Sequence, residues 1–292
     1  MGGRKVGFIG LGVMGEPMCL NLVRRSGCAV SVSDIDTRPV ERLVAAGAAA
    51  ASVAELAHGS DILLLSLPSG TQVEAVLGGP SGVLANARPG LVVVDHSTSP
   101  VELTRTLAKA AAEVGVRYAD APVARTRQAA IDGTLAIMVG ADASVFEAIH
   151  PILRCMASDV VHCGDVGCGQ VVKIINNMVL FQTVVALSEA LAMGEAAGVD
   201  GRLLFETLSK GSADSFALRN HGMKAMLPRD FPVDAFPTDY ALKDVGYALD
   251  LASYTGVRAQ GAELARDRLK KASANDLKRE YFPVLSTIVD RA

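Results

Sequence analysis

The chain has 292 residues, room for one large or two ordinary domains. Half of them are hydrophobic and 20% are charged, which excludes a disordered chain and calls for a substantial core. A net charge of −3 excludes a general electrostatic drive toward nucleic acid or an anionic membrane, but leaves room for a local basic pocket.

The opening Met1–Gly15 has a short apolar part, broken by glycine and followed by Glu16 and Pro17, so no signal peptide is expected. Five cysteines, Cys19, Cys28, Cys155, Cys163 and Cys168, form no C-x-x-C pair and read as thiols in a reducing cytoplasm. The five histidines are scattered with no i, i+3 or i, i+4 pairing, so no metal site is expected.

In chain order, Lys5–Ile9, Ala29–Ser33, Asp61–Leu65 and Leu91–Val94 read as strands, with helical patterns at Met14–Arg25, Arg38–Ala46 and Pro100–Val114 between them. Near-continuous apolar strands alternating with helices predict a parallel sheet covered on both faces. Val116–Asp120 and Thr134–Val139 add strands. A helix follows over Asp142–Cys155, then a short strand at Asp159–His162. The character changes at the glycine-rich joint 164–169. A helix is predicted over Gln170–Ala197, spanning roughly 42 Å. Its Asn176, Asn177 and Gln182 mark it as buried in protein rather than in a membrane. The remainder reads as helices separated by turns at Gly198–Gly201, Leu227–Asp230 and Gly256.

Gly10-Leu11-Gly12-Val13-Met14-Gly15 follows the first strand and opens the first helix. The first glycine permits the turn, the second lets a pyrophosphate reach the backbone, and the third lets helix and strand pack closely. The anion would sit on the helix N-terminus. Asp34 ends the second strand, where a carboxylate grips the adenosine ribose diol and repels a 2′-phosphate. NAD(H) is therefore favoured, with NADP(H) left open by Arg38 four positions on. The expected fold is α/β: a Rossmann-type doubly wound parallel sheet over residues 1–164, then an all-helical C-terminal domain over 165–292 for substrate binding and dimerisation.

Lys173 and Asn177 are an i, i+4 pair on one helix face, with Asn176 beside them. Such groups are costly to bury in an apolar helix without a task. Lys173 can give a proton to a carbonyl oxygen as hydride arrives and take it back in the oxidative direction.

The stretches FIGLGVMGEPM (8–18), DHSTSP (95–100), DAPV…GTLAIMVG (120–140), GCGQVVKIINN (167–177) and DYALKDVGYALD (239–250) follow one another over nearly the whole chain. In them the sequence resembles the β-hydroxyacid dehydrogenase family. The resemblance implies cofactor contacts at Gly10, Leu11, Gly12, Val13, Met14, Gly15, Asp34, Leu67, Pro68, Thr98 and Lys243. It places Lys173 on the catalytic lysine, and Ser97, Val123, Asn176 and Asn177 at substrate positions. It also implies a homodimer or homotetramer.

One departure stands out. Most members of that family read Asp-x-Pro-Val-Ser-Gly-Gly, whereas this chain reads Asp120-Ala121-Pro122-Val123-Ala124-Arg125-Thr126. The Arg-Thr pair is similar to that of 3-sulfolactaldehyde reductases. A guanidinium offers a fork of donors to a multi-oxygen anion and the threonine adds a hydroxyl. The expectation is an oxidoreductase for a small aldehyde, ketone or β-hydroxy acid with an anionic head, with Arg125 and Thr126 on a sulfonate or phosphonate (3-sulfolactaldehyde or 2-oxopropylphosphonate type). A carboxylate-specific 3-hydroxyisobutyrate dehydrogenase or tartronate semialdehyde reductase is the alternative, and a cofactor-binding scaffold module the non-enzymatic one. Imine reduction shares the fold but generally lacks the lysine.

Overall fold

The computed structural model describes residues 3–233 and 235–289. The chain divides into two compact units, the first ending at Lys173 and the second beginning at Ile174.

The first unit is built on a nine-stranded sheet among the described residues: β1 (Lys5–Ile9), β2 (Ala29–Ser33), β3 (Ala49–Ala50), β4 (Ile62–Leu65), β5 (Val92–Asp95), β6 (Arg117–Asp120), β7 (Val123–Ala124), β8 (Leu135–Gly140) and β9 (Ala157–Gly164). The order β3-β2-β1-β4-β5-β6 is parallel throughout, and β8 joins β6 antiparallel, with β7 and β9 as its other neighbours. This is the doubly wound arrangement expected from the alternating strands and helices. The strand order reverses between β1 and β4, where open α/β sheets bind ligands beyond their carboxyl ends. Period-two alternation explains why the central strands look uniformly apolar. Phe8, Ile62, Leu64, Val92 and Val94 enter one core, while Ile9, Leu63, Leu65 and Val93 enter a second.

The helices α1 (Gly15–Arg25), α2 (Thr37–Ala45), α3 (Val53–Gly59), α4 (Gly70–Leu77), α5 (Val83–Asn86), α6 (Val101–Glu113), α7 (Arg127–Asp132) and α8 (Ala143–Leu153) connect the strands. Those predicted from the sequence are present. The shorter α3, α4, α5 and α7 carry too few turns for a periodic signal, and three of them begin at side-chain caps. Ser52 and Glu55 form a reciprocal capping box on α3, and Ser69 and Thr126 cap α4 and α7. β9 is twice the expected length because its bulged register follows β8 along its whole edge.

The second unit contains most of α9 (Cys168–Ala196), then α10 (Gly201–Leu208), a π-helical segment at Leu218–Met226, α11 (Thr238–Thr255), α12 (Gln260–Ala274) and a 3₁₀ segment at Phe282–Ile288. Phe181, Val184 and Val185 of α9 pack with Phe205, Val245, Leu269 and Phe282. Phe282 meets Phe181 and Phe236 edge-on, with centroids 5.2 and 5.3 Å away. By length and composition alone α9 could cross a membrane, but it supplies a main wall of this helical core.

Candidate functional site

The glycines between β1 and α1 answer to two different constraints. Gly10 has φ +92°, and a Cβ there would lie 2.3 Å from the Ser66 carbonyl oxygen. A Cβ on Gly15 would lie 2.0 Å from the Gly10 carbonyl oxygen. The fold itself demands both. Gly12 is exposed, and a Cβ there would meet nothing within 4 Å. What its missing side chain leaves open is the approach from outside, toward the N-terminus of α1, whose Met14 N-cap supplies no side-chain acceptor. That is the cradle a pyrophosphate fits. Glu16, in the first turn, would repel such an anion, but its carboxylate is paired with Arg42 at 2.5 Å, and this hydrogen bond lowers its pKa.

Asp34 lies just beyond β2. It accepts the N–H of Leu11 in a short hydrogen bond and that of Asp36 at 2.8 Å, tying the strand end to the glycine-rich loop. Arg38 is gripped by Asp36 through a two-pronged ion pair with a contact of 2.7 Å. Ile35, which sequence reasoning passed over, projects fully exposed between these acids.

At the ends of β5 and β6 two carboxylates are completely buried. Asp95 accepts from Ser97 N at 2.9 Å and from the Tyr118 hydroxyl at 3.1 Å. Asp120 accepts from Gly167 N at 2.6 Å and Gln170 N at 2.7 Å, and so caps the head of α9. Desolvation pushes both carboxyls up to about 6, against hydrogen bonds that lower them. Gly169 makes the approach possible, since a Cβ there would meet the Met138 carbonyl oxygen at 2.4 Å. The buried Gln170 side chain completes the anchor, donating to Ser97 O at 2.7 Å and accepting from Ser99 N at 3.1 Å. Ser97 itself is buried, its hydroxyl receiving the Leu67 N–H at 2.9 Å, with half-buried Thr98 beside it. Pro68 is exposed. Lys173 follows Gln170 by three residues on this anchored turn and is half-buried. The sequence reading missed Asp95, Asp120 and Gln170. Their signal is a polar residue at the end of an apolar strand or in the first turn of an apolar helix.

The loop after β6 differs from the expected anion clamp. Val123 pairs with Ile137 of β8. Arg125 has φ +86°, the left-handed conformation a glycine adopts freely, which accounts for the glycine common at this position in the family pattern. Its guanidinium reaches Asp159 at 2.7 Å, Ser158 Oγ at 2.6 Å and the Thr134 carbonyl at 2.5 Å. The Thr126 hydroxyl accepts the Ala129 N–H at 3.5 Å as the cap of α7. Both side chains expected on a substrate head thus hold partners within the protein.

In the helical unit, Asn176 Nδ2 donates to Asn177 Oδ1 at 3.1 Å, and Asn177 Nδ2 donates to Asp244 at 2.7 Å. Lys243 lies 3.0 Å from the other oxygen of Asp244, with its ammonium 5.4 and 5.1 Å from the rings of Tyr240 and Tyr247. Asp244 is a further residue the sequence reading did not single out.

Two family models cover the chain almost end to end: the NAD binding domain of 6-phosphogluconate dehydrogenase matches residues 5–164, and the NAD-binding region of NADP-dependent 3-hydroxyisobutyrate dehydrogenase matches 167–282. The chain belongs to the β-hydroxyacid dehydrogenase family. It is a nicotinamide-dependent enzyme acting on hydroxyl groups. It is 39% identical to 2-(hydroxymethyl)glutarate dehydrogenase of Eubacterium barkeri over 94% of this chain and 91% of that one. To the NAD-dependent L-serine dehydrogenase of Pseudomonas aeruginosa it is 32% identical over 98% of both. The solved structure of Mycobacterium tuberculosis 3-hydroxyisobutyrate dehydrogenase with L-serine superposes with a TM-score of 0.89 at 31% identity, covering 98% of this chain and 99% of that one.

The two kinds of glycine separate by mutation. Gly12→Ala should keep folding stability within about 0.5 kcal/mol while weakening NADH binding tenfold or more, whereas Gly15→Ala should lose about 1–3 kcal/mol of stability. Thermal unfolding and an NADH fluorescence titration read both. NADH binding by Gly12→Ala at wild-type strength would contradict the cradle.

Proposed function

We propose that this enzyme moves a hydride between NAD(H) and a small carboxylate-bearing hydroxy acid or the corresponding aldehyde or ketone, with Lys173 as general acid and base. When bound, the nicotinamide ring carries the hydride. The observation that supports the reading best is the double anchor on the first turn of α9, in which Asp120 takes the backbone N–H groups and Gln170 hooks the segment after β5. Such an anchor fixes the backbone from which Lys173 projects three residues on, and proton transfer to a reacting oxygen requires a positioned group. Gly10, Leu11, Gly12, Val13, Met14 and Gly15 would hold the pyrophosphate. Asp34 would take the ribose diol, with Ile35 under the adenine, and Leu67, Pro68, Thr98 and Lys243 would complete the cofactor contacts.

Asp34 and the engagement of Arg38 by Asp36 favour NAD(H) over NADP(H), because neither offers a free cation to a 2′-phosphate. The acid head is read as a carboxylate, the head named for the relatives' substrates, since binding a sulfonate or phosphonate through Arg125 requires its guanidinium to leave Asp159. Ser97, Val123, Asn176 and Asn177 remain substrate-side residues in this reading. The reaction belongs in the cytoplasm, where thiols stay reduced and NAD(H) is at hand.

A matched panel of carboxylate, sulfonate and phosphonate substrates, run with both cofactors, tests this reading. The wild type should prefer carboxylates and NAD(H). Lys173→Ala should cut kcat by about 10²-fold or more with NADH binding unchanged. Arg125→Gly relieves a left-handed backbone and removes an exposed ion pair, so carboxylate turnover should stay within about threefold. A preference for NADPH, retained activity in Lys173→Ala, or selective loss of sulfonate or phosphonate turnover in Arg125→Gly would overturn the corresponding part.

Val172, Ile175 and Val179 form an i, i+3, i+7 stripe on α9 that is 41–54% exposed. An apolar stripe calls for a partner, and we read it as covered by a second copy in a two-fold dimer. Light scattering at micromolar concentration should give twice the chain mass. A stable monomer contradicts this.

A further inference from the structure

The loop between β6 and α7 shares its root with the rest of the site. Ala121 N donates to the Asp95 carbonyl at 2.7 Å and His96 Nδ1 donates to the Ala121 carbonyl at 2.7 Å, while Asp120 just before them caps α9. Both ends of the loop's last turn are fixed. Val123 and Ala124 pair with Ile137 and Ala136 of β8, and on the far side Asn21 Nδ2 donates to the carbonyls of Ala130 and Ile131 in α7 at 2.8 and 3.1 Å. The change of direction between them falls on Arg125. Among the described residues of the sheet unit it is the one non-glycine residue with positive φ. Such a backbone disfavours a residue with a Cβ by about 5- to 30-fold against its right-handed alternative. The guanidinium offsets that penalty, since Nη1 donates to the Thr134 carbonyl at 2.5 Å and to Ser158 Oγ at 2.6 Å, and Nη2 to Asp159 at 2.7 Å. The Ser158 hydroxyl donates on to Asp159 at 2.7 Å, so the three partners form one cluster on β9 and just before β8.

We infer that Arg125 is a positioning residue, whose guanidinium latches to Asp159, Ser158 and the Thr134 carbonyl and so holds the turn after Val123 in the left-handed shape that receives the substrate, without touching the substrate itself. The inference rests on the hydroxy-acid reading above, which puts Val123 on the substrate side, and specifies what keeps that loop in shape. Strained backbone held by surrounding contacts gathers at binding sites, and a loop shaped before its ligand arrives loses less on binding. A glycine would reach this turn with no Cβ penalty, and here a side-chain latch stands in for that freedom. Latched and unlatched turns differ in the fraction of molecules ready to bind, and apparent affinity falls with that fraction. The turn shapes binding and moves no proton, so its effect belongs in KM and not in kcat.

The test is steady-state kinetics of the enzyme with NAD⁺ and the carboxylate probes 3-hydroxyisobutyrate, L-serine and 2-(hydroxymethyl)glutarate, alongside an NADH titration and thermal unfolding. Arg125→Ala loses the latch and keeps the Cβ, so KM should rise about 5- to 30-fold with kcat and NADH binding within about twofold. Arg125→Gly also loses the latch but enters the left-handed region freely, so it should bring KM back to within about threefold of the wild type. Ser158→Ala combined with Asp159→Ala removes two of the three partners and should raise KM about three- to tenfold, yet change nothing further when added to Arg125→Gly. A wild-type KM in Arg125→Ala overturns the inference, as does an equal rise in Arg125→Ala and Arg125→Gly, which would mean direct contact with the substrate. So does a loss confined to kcat, or an equal effect of the Ser158 and Asp159 changes with and without Arg125, the signature of a merely structural cluster. Each of those results leaves the hydroxy-acid reading standing. A wild type that oxidises none of the probes overturns that reading, and the inference with it.

Discussion

A carboxylate buried at the end of β6 holds the head of the longest helix, and the proposed chemistry of Lys173 depends on that placement. Asp120 has exchanged water for the N–H groups of Gly167 and Gln170, and burial raises its pKa to about 6 against the pull of those donors. At neutral pH it is an anion at a helix N-terminus, where unpaired N–H groups and the helix dipole favour negative charge. Truncating it would leave two buried donors without acceptors, at about 1–3 kcal/mol each. The close contact also dictates its neighbours, because Gly169 and Gly140 sit where a Cβ would collide with Asp120.

From that anchor the polar framework spreads in both directions. Gln170 carries it to Ser97 and Ser99, and the Ser97 hydroxyl carries it to the backbone of Leu67. The segments after β4 and β5 are therefore hydrogen-bonded, through side chains, to the turn that presents Lys173. In the helical unit a second buried carboxylate, Asp244, accepts a hydrogen bond from the Asn177 amide.

The legible part of the molecule was the local part. Gly10, Gly12 and Gly15 announce a phosphate turn because three constraints fall within six residues, and Lys173 and Asn177 share a helix face by spacing alone. The doubly wound order followed from apolar strands alternating with helices. What stayed hidden depends on distant partners. Asp120 meets its donors 47 and 50 positions on, Asn177 meets Asp244 after 67, and Arg125 meets Asp159 after 34. Arg125 is instructive: its residue type suggested an anion clamp, yet its backbone conformation and its acidic neighbour on β9 give the guanidinium a partner inside the protein. The long-range bonds of Asp120 and Gln170 also keep the first turn of α9 with the sheet, so that the first compact unit runs to Lys173.

The central claim, that the anchored turn of α9 sets the orientation of Lys173, is tested most directly in Gln170→Leu, which keeps the side-chain volume and removes both of its hydrogen bonds. Single-turnover hydride transfer and the NADH dissociation constant should be measured on the same preparation. If the anchor aims Lys173, hydride transfer slows by about 10- to 100-fold, the scale of a small misplacement of a catalytic group, while NADH binding stays within about twofold. Hydride transfer at the wild-type rate in a folded Gln170→Leu enzyme would contradict it.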